Sequence, residues 1–518
     1  MAAARAGYSA TAVGCVRMLN KSRSRGTGNQ RAATSPTYAR LSQVVRSAEG
    51  TLARPLAGRV QTAMDPSIFK AYDIRGIYPG QMDEQLAYRI GRGFARVLAD
   101  LQDTPVPELT VVVGRDMRLS AAAMAERYTA GIADEGADVL DIGMAATEMV
   151  YWTVGARELH GGLVCTASHN PKTYTGAKLV KRGAIALSAD SGIGELREIV
   201  AGGIPGPPVG EPGEVQREDV ADAFRKAALG YIDAERIRPL KVVLDGGNGM
   251  AGPMIGPLLD TLPIEQVRSY WEPDGEFPDH EPNPLLPENR EFIIDKVRET
   301  GAELGIAWDG DADRCFFIDD TGGFVAGDFL TALLAESILR KEPGATILYD
   351  VRASRAVRDV VERAGGRAEV NRVGHAFFKT RMRDTGAALG GEVSGHYYFR
   401  DFYCADSGTI PALLILELLS IDGRRLSELL EPLRSQYFIS GEINSEVEDQ
   451  DDKMEEVVDR YSDGEISRLD GISVDYDDWH FNVRPSNTEP LLRLNLESLV
   501  SREHMENKRD EVLSLIRA

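Results

Sequence analysis

Short apolar runs that end abruptly in loops of small and charged residues recur along this chain, and they constrain its fold more than any other feature. Leu109–Val113 leads into Gly114-Arg115-Asp116, and Gly162–Cys165 into Thr166-Ala167-Ser168-His169-Asn170-Pro171. Lys241–Leu244 leads into Asp245-Gly246-Gly247, and Leu304–Trp308 into Asp309-Gly310-Asp311-Ala312-Asp313-Arg314. Thr346–Tyr349 is a further run, and Ala388–Gly391 opens onto Glu392-Val393-Ser394-Gly395-His396. Helical patterns fill the intervals, at 121–135, 219–229, 289–300, 328–339 and 355–364. Strands alternating with helices predict mostly parallel sheets, with chemistry on the loops beyond the strand ends.

At 518 residues the chain exceeds a single core. The pattern restarts beyond 202–213, a Gly/Pro-dense stretch that is the most visible linker candidate. The last stretch differs: Ile472–Val483 and Leu491–Leu496 read as paired strands around Arg484-Pro485-Ser486-Asn487-Thr488-Glu489-Pro490, with a terminal helix after them. The predicted fold is therefore α/β, with three similar doubly wound α/β domains at 64–217, 218–322 and 323–433. A smaller α+β domain at 434–518 completes the predicted architecture around a central cleft. No apolar run approaches the ~18 residues of a spanning helix. The longest, Ile410–Leu419, is interrupted by Glu417 and suits a core helix.

Charge is uneven. Residues 1–63 hold ten of the 59 Lys+Arg and one of the 80 Asp+Glu, so the remainder carries 49 bases against 79 acids. Such a body repels nucleic acid and anionic membranes, and an anionic substrate requires a local basic pocket. The Arg- and Ser-rich first 63 residues read as a disordered or non-native extension upstream of Met64, with a targeting segment as the other reading. Cys15, Cys165, Cys315 and Cys404 form no CxxC pair, which fits a reducing, cytoplasmic compartment.

Four loops offer reactive groups. Ser168 stands on a turn stiffened by Asn170-Pro171; taken alone it is either a solvated turn or a serine with a neighbouring histidine to activate it. Asp309, Asp311 and Asp313 place hard oxygens at alternate positions, a set suited to Mg²⁺. An EF-hand is excluded, because Arg314 stands at its glycine position and Asp320 at its terminal glutamate position. Arg484, Ser486, Asn487, Thr488 and Arg493 form either a phosphate cradle or a structural hairpin turn. Glu392, Ser394 and His396 could grip a sugar or cap a helix.

In order and spacing, these loops resemble those of the α-D-phosphohexomutase superfamily, and Lys70-Ala71-Tyr72-Asp73-Ile74-Arg75-Gly76 resembles its N-terminal motif. The resemblance runs from about Ile68 to the C-terminus. The Glu392–His396 loop is similar to that of bacterial phosphomannomutase/phosphoglucomutase. Departures are small: Lys70, Thr175, Ala177 and Ala312 stand where arginine, asparagine, a bulkier residue and glycine are usual.

The resemblance implies a phosphate carried on Ser168 and Mg²⁺ held by Asp309, Asp311, Asp313 and a phosphoserine oxygen. It implies transfer between hexose 1- and 6-phosphates through a hexose 1,6-bisphosphate, which also serves as activator. Arg484, Ser486, Asn487, Thr488 and Arg493 would bind the substrate phosphate. Glu392, Val393, Ser394, Gly395 and His396 would meet the sugar, with Arg352, His375, Lys70 and Tyr72 as further contacts. Lys178 and His169 are the candidate acid and base, and Arg75 and Arg314 the charge stabilisers. Lys178 can act as a base only if neighbouring cations lower its pKa. The expected partners are small hexose phosphates, without nucleic acid, membrane or protein partner. A phosphoglucosamine mutase and a non-catalytic sugar-phosphate-binding relative are the alternatives.

Overall fold

A computed structural model describes residues 64–189, 191–203, 210–486 and 491–518. Residues 1–63, with the expectation attached to them, lie outside the described residues.

Ile74–Ile77 (β1), Thr110–Arg115 (β2), Asp138–Met144 (β3), Gly161–Cys165 (β4), Tyr174–Lys181 (β5), Ile185–Ala186 (β6) and Val215–Arg217 (β7) make the first sheet. Its order is β1-β5-β4-β2-β3-β7, with β6 on β5. Strands β4, β2, β3 and β7 run parallel, while β5 and β1 are antiparallel additions. Lys241–Asp245 (β8), Glu265–Ser269 (β9), Leu304–Trp308 (β10) and Cys315–Asp319 (β11) form the second sheet, ordered β11-β10-β8-β9. Thr346–Asp350 (β12), Arg367–Asn371 (β13), Leu389–Gly391 (β14), Tyr397–Phe399 (β15) and Ala405–Asp406 (β16) form the third, ordered β13-β12-β14-β15-β16. The fourth is antiparallel: Phe438–Ile439 (β17), Ile443–Glu446 (β18), Glu465–Ser467 (β19), Ile472–Asp475 (β20), Trp479–Pro485 (β21) and Leu491–Ser498 (β22). The fold is α/β, with three α/β units and a smaller C-terminal one.

One device positions the loops that carry Ser168, Asp309–Arg314 and Glu392–His396. In the first three sheets a parallel strand is followed at once by an antiparallel neighbour, β4 by β5, β10 by β11 and β14 by β15. Each of these three loops is thus the tip of a hairpin; β21 and β22 also pair antiparallel, and residues 487–490 between them lie outside the described residues. Both ends of the loop are then tied to a hydrogen-bonded ladder, which holds it more firmly than a free crossover. Strands β4 and β10 are buried along their whole length, which explains their continuous apolar character. In the first sheet the chain steps from β2 to β3 and then back across β2 to β4. The crevice between β2 and β4 is therefore a topological switch point, and the Ser168 loop leaves from it.

Two expectations need correction. Ile472–Val483 is a hairpin of β20 and β21, because Tyr476-Asp477-Asp478 turns the chain and pairs Val474 with Phe481. The 202–213 stretch is not a break between sheets: the chain beyond it returns to the first sheet as β7, parallel to β3. Residues 204–209 of that stretch lie outside the described residues. The 410–419 run does form a core helix, Thr409–Asp422, buried from Thr409 to Leu419. Its Glu417 accepts from Lys341 Nζ at 2.5 Å and from the Asp233 backbone N–H at 2.8 Å, which satisfies the buried charge. Among the described residues no helix is long and apolar enough to cross a membrane.

Candidate active site

Ser168 is 1% exposed and adopts φ 51°, a left-handed conformation uncommon for a residue with a side chain. Its N–H donates to Thr166 Oγ1 at 2.9 Å, and its hydroxyl donates to Asp309 Oδ2 at 2.9 Å. Arg314 Nη2 donates to Ser168 Oγ at 3.1 Å and also reaches His169 Nδ1, while its Nε donates to Asp309 Oδ2 at 3.0 Å. The serine loop and the aspartate loop touch directly. A Cβ on Gly310 would lie 2.6 Å from the Ser168 carbonyl oxygen, so only glycine admits the approach.

Asp309, Asp311 and Asp313 are buried, and one oxygen from each lies within 4.8 Å of the others. Burial, reinforced by Asp313 and Asp311, pushes the Asp309 carboxyl well up. Burial and Asp311 likewise raise Asp313 to about 7. Asp311 resists its burial because Lys178 Nζ donates to it at 2.8 Å and Thr147 Oγ1 at 2.5 Å, which hold it at about 2. Asp311 Oδ1 and Asp313 Oδ1 are buried without a hydrogen-bond partner among the described residues. Three hard, converging oxygens with orphaned acceptors fit a divalent cation.

A cavity of about 160 Å³ opens above this cluster, lined by Tyr72, Asp73, Arg75, Tyr151, Ser168, His169, Lys178, Asp313, Arg314, His375, His396 and Asp406. Lys178 pairs with both Asp311 and Asp313. Against its own desolvation, these carboxylates raise its pKa and favour the ammonium form in this arrangement. Lys379, fully buried, sits 2.7 Å from Asp406 and 4.0 Å from the centre of the Tyr151 ring. That ammonium supplies the cation for Asp406, whose carboxylate together with Asp313 and His396 makes a second convergent group. Burial, with Lys379 nearby, holds His375 neutral, with a pKa near 3. A wider cavity, about 780 Å³, lies elsewhere, against Arg115, Ile142, Met144 and Met254. Neither the Ser168 loop nor the Asp309–Arg314 loop lines it.

A chain of polar contacts runs from this cavity to the fourth sheet. His396 Nε2 lies 3.9 Å from Asp313 and its Nδ1 3.8 Å from Glu392. Glu392 accepts from the Gly374 N–H at 2.8 Å and from Tyr398, and Arg352 stands 4.0 Å away. Arg352 is braced by Asp350 at 2.8 Å and donates to Glu442 at 3.3 Å. Arg493 donates to the same Glu442 at 3.1 Å and to Ser486 Oγ at 3.4 Å. Burial first, then Arg352, lowers the pKa of Arg484, which marks a crowd of guanidiniums. Three arginines, Arg352, Arg484 and Arg493, thus gather here, each beside a carboxylate: Asp350 and Glu442, Asp470, and Glu442.

Among the described residues, the fold brings the groups singled out in the sequence to this cavity or to the chain of polar contacts beyond it, Lys70 excepted. Lys70 is exposed and does not line the cavity, whereas Tyr72 does, edge-on to His375 at 5.1 Å. Asn487 and Thr488 lie outside the described residues. Val393 presents its backbone, with its N–H donating to Asp350 at 2.9 Å, and Gly395 needs φ 88° beside Phe316. Sequence reading missed Arg118, Thr147, Asp406 and Glu442. Each sits outside a recognisable loop motif, and only Arg118, just past the Gly114-Arg115-Asp116 loop, lay beside a flagged strand end.

Family models agree with this geometry. Phosphoglucomutase/phosphomannomutase alpha/beta/alpha domains I, II and III match residues 66–202, 221–323 and 326–437, and the C-terminal domain of the same family matches 442–515. The chain belongs to the phosphoglucomutase/phosphomannomutase family of the α-D-phosphohexomutase superfamily, and it is a mutase of the bacterial type. It is 45% identical over 453 residues to the phosphohexose mutases of Xanthomonas campestris, covering 87% of this chain and 99% of the relative. It is 42% identical to the phosphomannomutase of Vibrio cholerae, over 87% of this chain and 98% of the relative. The crystal structure of a phosphoglucomutase/phosphomannomutase family protein from Burkholderia thailandensis superposes with a TM-score of 0.80 at 34% identity, over 88% and 97% of the two chains.

Proposed function

We propose that this mutase interconverts hexose 1-phosphate and hexose 6-phosphate, with mannose and/or glucose as the sugar, through phospho-Ser168 and a hexose 1,6-bisphosphate. The observation that carries the reading is the setting of Ser168 Oγ, one buried hydroxyl shared between Asp309 and Arg314 on the wall of the small polar cavity. Because Arg314 engages the His169 nitrogen that a hydrolase would use to activate serine, phosphoryl transfer suits the arrangement better than ester hydrolysis.

In the forward half-reaction the sugar O6 attacks the phosphorus of phospho-Ser168. The O6–P bond forms, the P–Oγ bond breaks, the O6 proton passes to a base and Oγ takes a proton. The bisphosphate turns end for end. Oγ then gives its proton to a base and attacks the phosphorus on O1; the Oγ–P bond forms, the P–O1 bond breaks, O1 is protonated and the 6-phosphate leaves.

Arg75 and Arg314 face the charge on the transferring group, and Lys178, kept protonated by its aspartates, adds a fixed cation. His169, its Nδ1 3.1 Å from Oγ and engaged by Arg314, stands beside the serine as an acid or phosphate contact rather than as its activating base. Glu392, Val393, Ser394, Gly395 and His396 meet the sugar hydroxyls, and Tyr72 and His375 line its cavity. Lys70 keeps the peripheral contact role that its motif implies. Arg352, Arg484, Ser486, Asn487, Thr488 and Arg493 hold the phosphate at the other end. Asp309, Asp311 and Asp313, with a phosphoserine oxygen, would hold Mg²⁺, which when bound withdraws charge from the phosphoryl group. Hexose 1,6-bisphosphate serves as activator by restoring phospho-Ser168, and the buried free thiols Cys165, Cys315 and Cys404 suit a cytoplasmic setting.

Coupled assays on mannose, glucose and glucosamine 1-phosphates test the substrate. Turnover confined to the amino sugar would make the protein a phosphoglucosamine mutase. Intact mass before and after glucose 1,6-bisphosphate tests the carrier, and absence of a phosphate gain would leave a binding protein without this chemistry.

A further inference from the structure

We propose that Arg118 shapes the Ser168 loop for phosphoryl transfer, as a positioning residue that acts from beneath the loop and touches no substrate; this rests on the reading of Ser168 as phosphate carrier. Arg118 is 2% exposed and follows β2, the strand beside β4 in the first sheet. Its Nη2 donates to the carbonyl oxygens of Ser168 at 2.7 Å and Asn170 at 2.6 Å. Its Nη1 donates to those of Pro171 at 2.8 Å and Tyr174 at 3.2 Å.

The guanidinium is itself flanked by two side chains, Asp116 and Phe277. Its Nε lies 3.2 Å from Asp116 Oδ2, and the other Asp116 oxygen accepts from the Arg118 N–H at 3.0 Å. The Asp116 N–H donates to the Cys165 carbonyl at 3.0 Å, which ties the pair to the end of β4. The ring of Phe277, from the long loop that follows β9, lies 5.2 Å from the guanidinium carbon.

Four carbonyl dipoles converging within seven residues repel one another unless a cation stands at their focus. A forked, planar group supplies one donor direction for each, which a lysine ammonium cannot reproduce in the same place. The loop also holds Ser168 at φ 51°, a conformation that persists only where its surroundings over-determine it. Arg118 grips the carbonyl of that residue from below while Thr166 holds its N–H, and Oγ is thereby aimed at Asp309. Arg118 does not line the cavity, so its effect reaches the reaction through the loop.

The test uses the full-length R118K variant, with the D116N/R118Q double variant as a version that leaves no unpaired buried charge. Each is loaded with phosphate from glucose 1,6-bisphosphate and measured for kcat and KM on mannose 1-phosphate, for folded fraction, and for the rate at which phospho-Ser168 is lost to water. The expected result is kcat per folded molecule lower by about 100-fold, the cost of a misplacement near 1 Å. KM stays within about threefold, because uniform binding is untouched, and the phosphoserine hydrolyses faster. Parental kcat in either folded variant, or KM rising in step with the loss of kcat, would overturn the proposal. A parent enzyme that gains no phosphate on Ser168 would overturn the underlying reading, and this one with it; phosphorylated variants with parental turnover refute Arg118 alone.

Discussion

Ser168 Oγ donates to Asp309 Oδ2 at 2.9 Å, a bond between hairpin tips from different sheets and 141 residues apart in sequence. The two loops meet because β4 and β10 both deliver their tips to one point, and Gly310 removes the side chain that would hold them apart. The same junction draws in a third element. Thr147, at the start of the helix Thr147–Ala156, donates to Asp311, and the next residue, Glu148, accepts from Ser407 and Thr409 of the third unit. One helical turn of the first unit thus ties both neighbouring units to the reaction centre.

Removing the carrier hydroxyl should end the reaction. Ser168→Ala is expected to lower kcat by at least about 1000-fold, the scale of losing a covalent nucleophile. It should also abolish the phosphate gain seen by intact mass. Retained phosphate on the variant would point to another carrier.

Metal removal tests the aspartate cluster. Treatment with a chelator should reduce turnover at least about 100-fold, consistent with several kcal/mol of charge stabilisation. Added Mg²⁺ should restore it in the parent but not in Asp311→Ala. Undiminished turnover after chelation would mean that the orphaned oxygens of Asp311 and Asp313 serve no cation.

Arg484 should contribute binding energy to the non-reacting phosphate. Arg484→Ala is expected to raise KM for mannose 1-phosphate by about 10- to 100-fold, the range for hydrogen bonds to a charged group. Arg484→Lys should recover part of that loss. Steady-state kinetics over a salt series reads both, and a KM unmoved by the alanine change would remove Arg484 from the phosphate site.

Glu148 predicts a pH dependence of stability. Burial raises its pKa from 4.5 to about 8, against the pull of its two hydroxyl partners and with Asp313 repelling its charge; the thiol of Cys315 is the other titratable neighbour. Between those values the native state keeps a proton that the unfolded chain has released. The contribution is therefore fully present below about pH 4.5 and is lost as pH rises toward 8. Melting temperatures of parent and Glu148→Gln, compared from pH 5 to 9, should converge at low pH and diverge at high pH in favour of the glutamine. Parallel curves would show that the carboxyl ionises without penalty.

Ala312 stands where the family usually has glycine, and its φ of 59° gives the physical reason for that preference. A side chain in this conformation costs about 1–2 kcal/mol, and glycine's unfolded-state entropy offsets about half of that. Ala312→Gly should thus leave turnover unchanged and the melting temperature equal or slightly higher. Ala312→Val, with a branched Cβ, should lower it. A stabilising valine would contradict the strain argument.

Much of the fold was legible because burial writes itself into sequence. Strands such as Leu304–Trp308 lie inside two-sided sheets and so read as unbroken apolar runs, which made their ends and the loops after them visible. The hairpin of β20 and β21 was not, since Tyr476-Asp477-Asp478 lacks a glycine or proline to mark the turn. Nor was the return of β7 to the first sheet, a three-residue edge strand with every residue exposed and no apolar pattern to read.

The sequence by itself determined which groups are available: a serine on a stiff turn, three alternating aspartates, an arginine-rich last loop, and a family resemblance that these motifs carry together. Local spacing suffices for that, because each motif is contiguous. Only the tertiary structure decided what those groups do to one another. Lys178 is paired with Asp311 and Asp313, whose carboxylates outweigh its desolvation and favour its protonated form. Arg118, Thr147 and Glu442 acquired their places from packing between distant segments, and ionisation and positioning follow from such non-local contacts, which no single loop encodes.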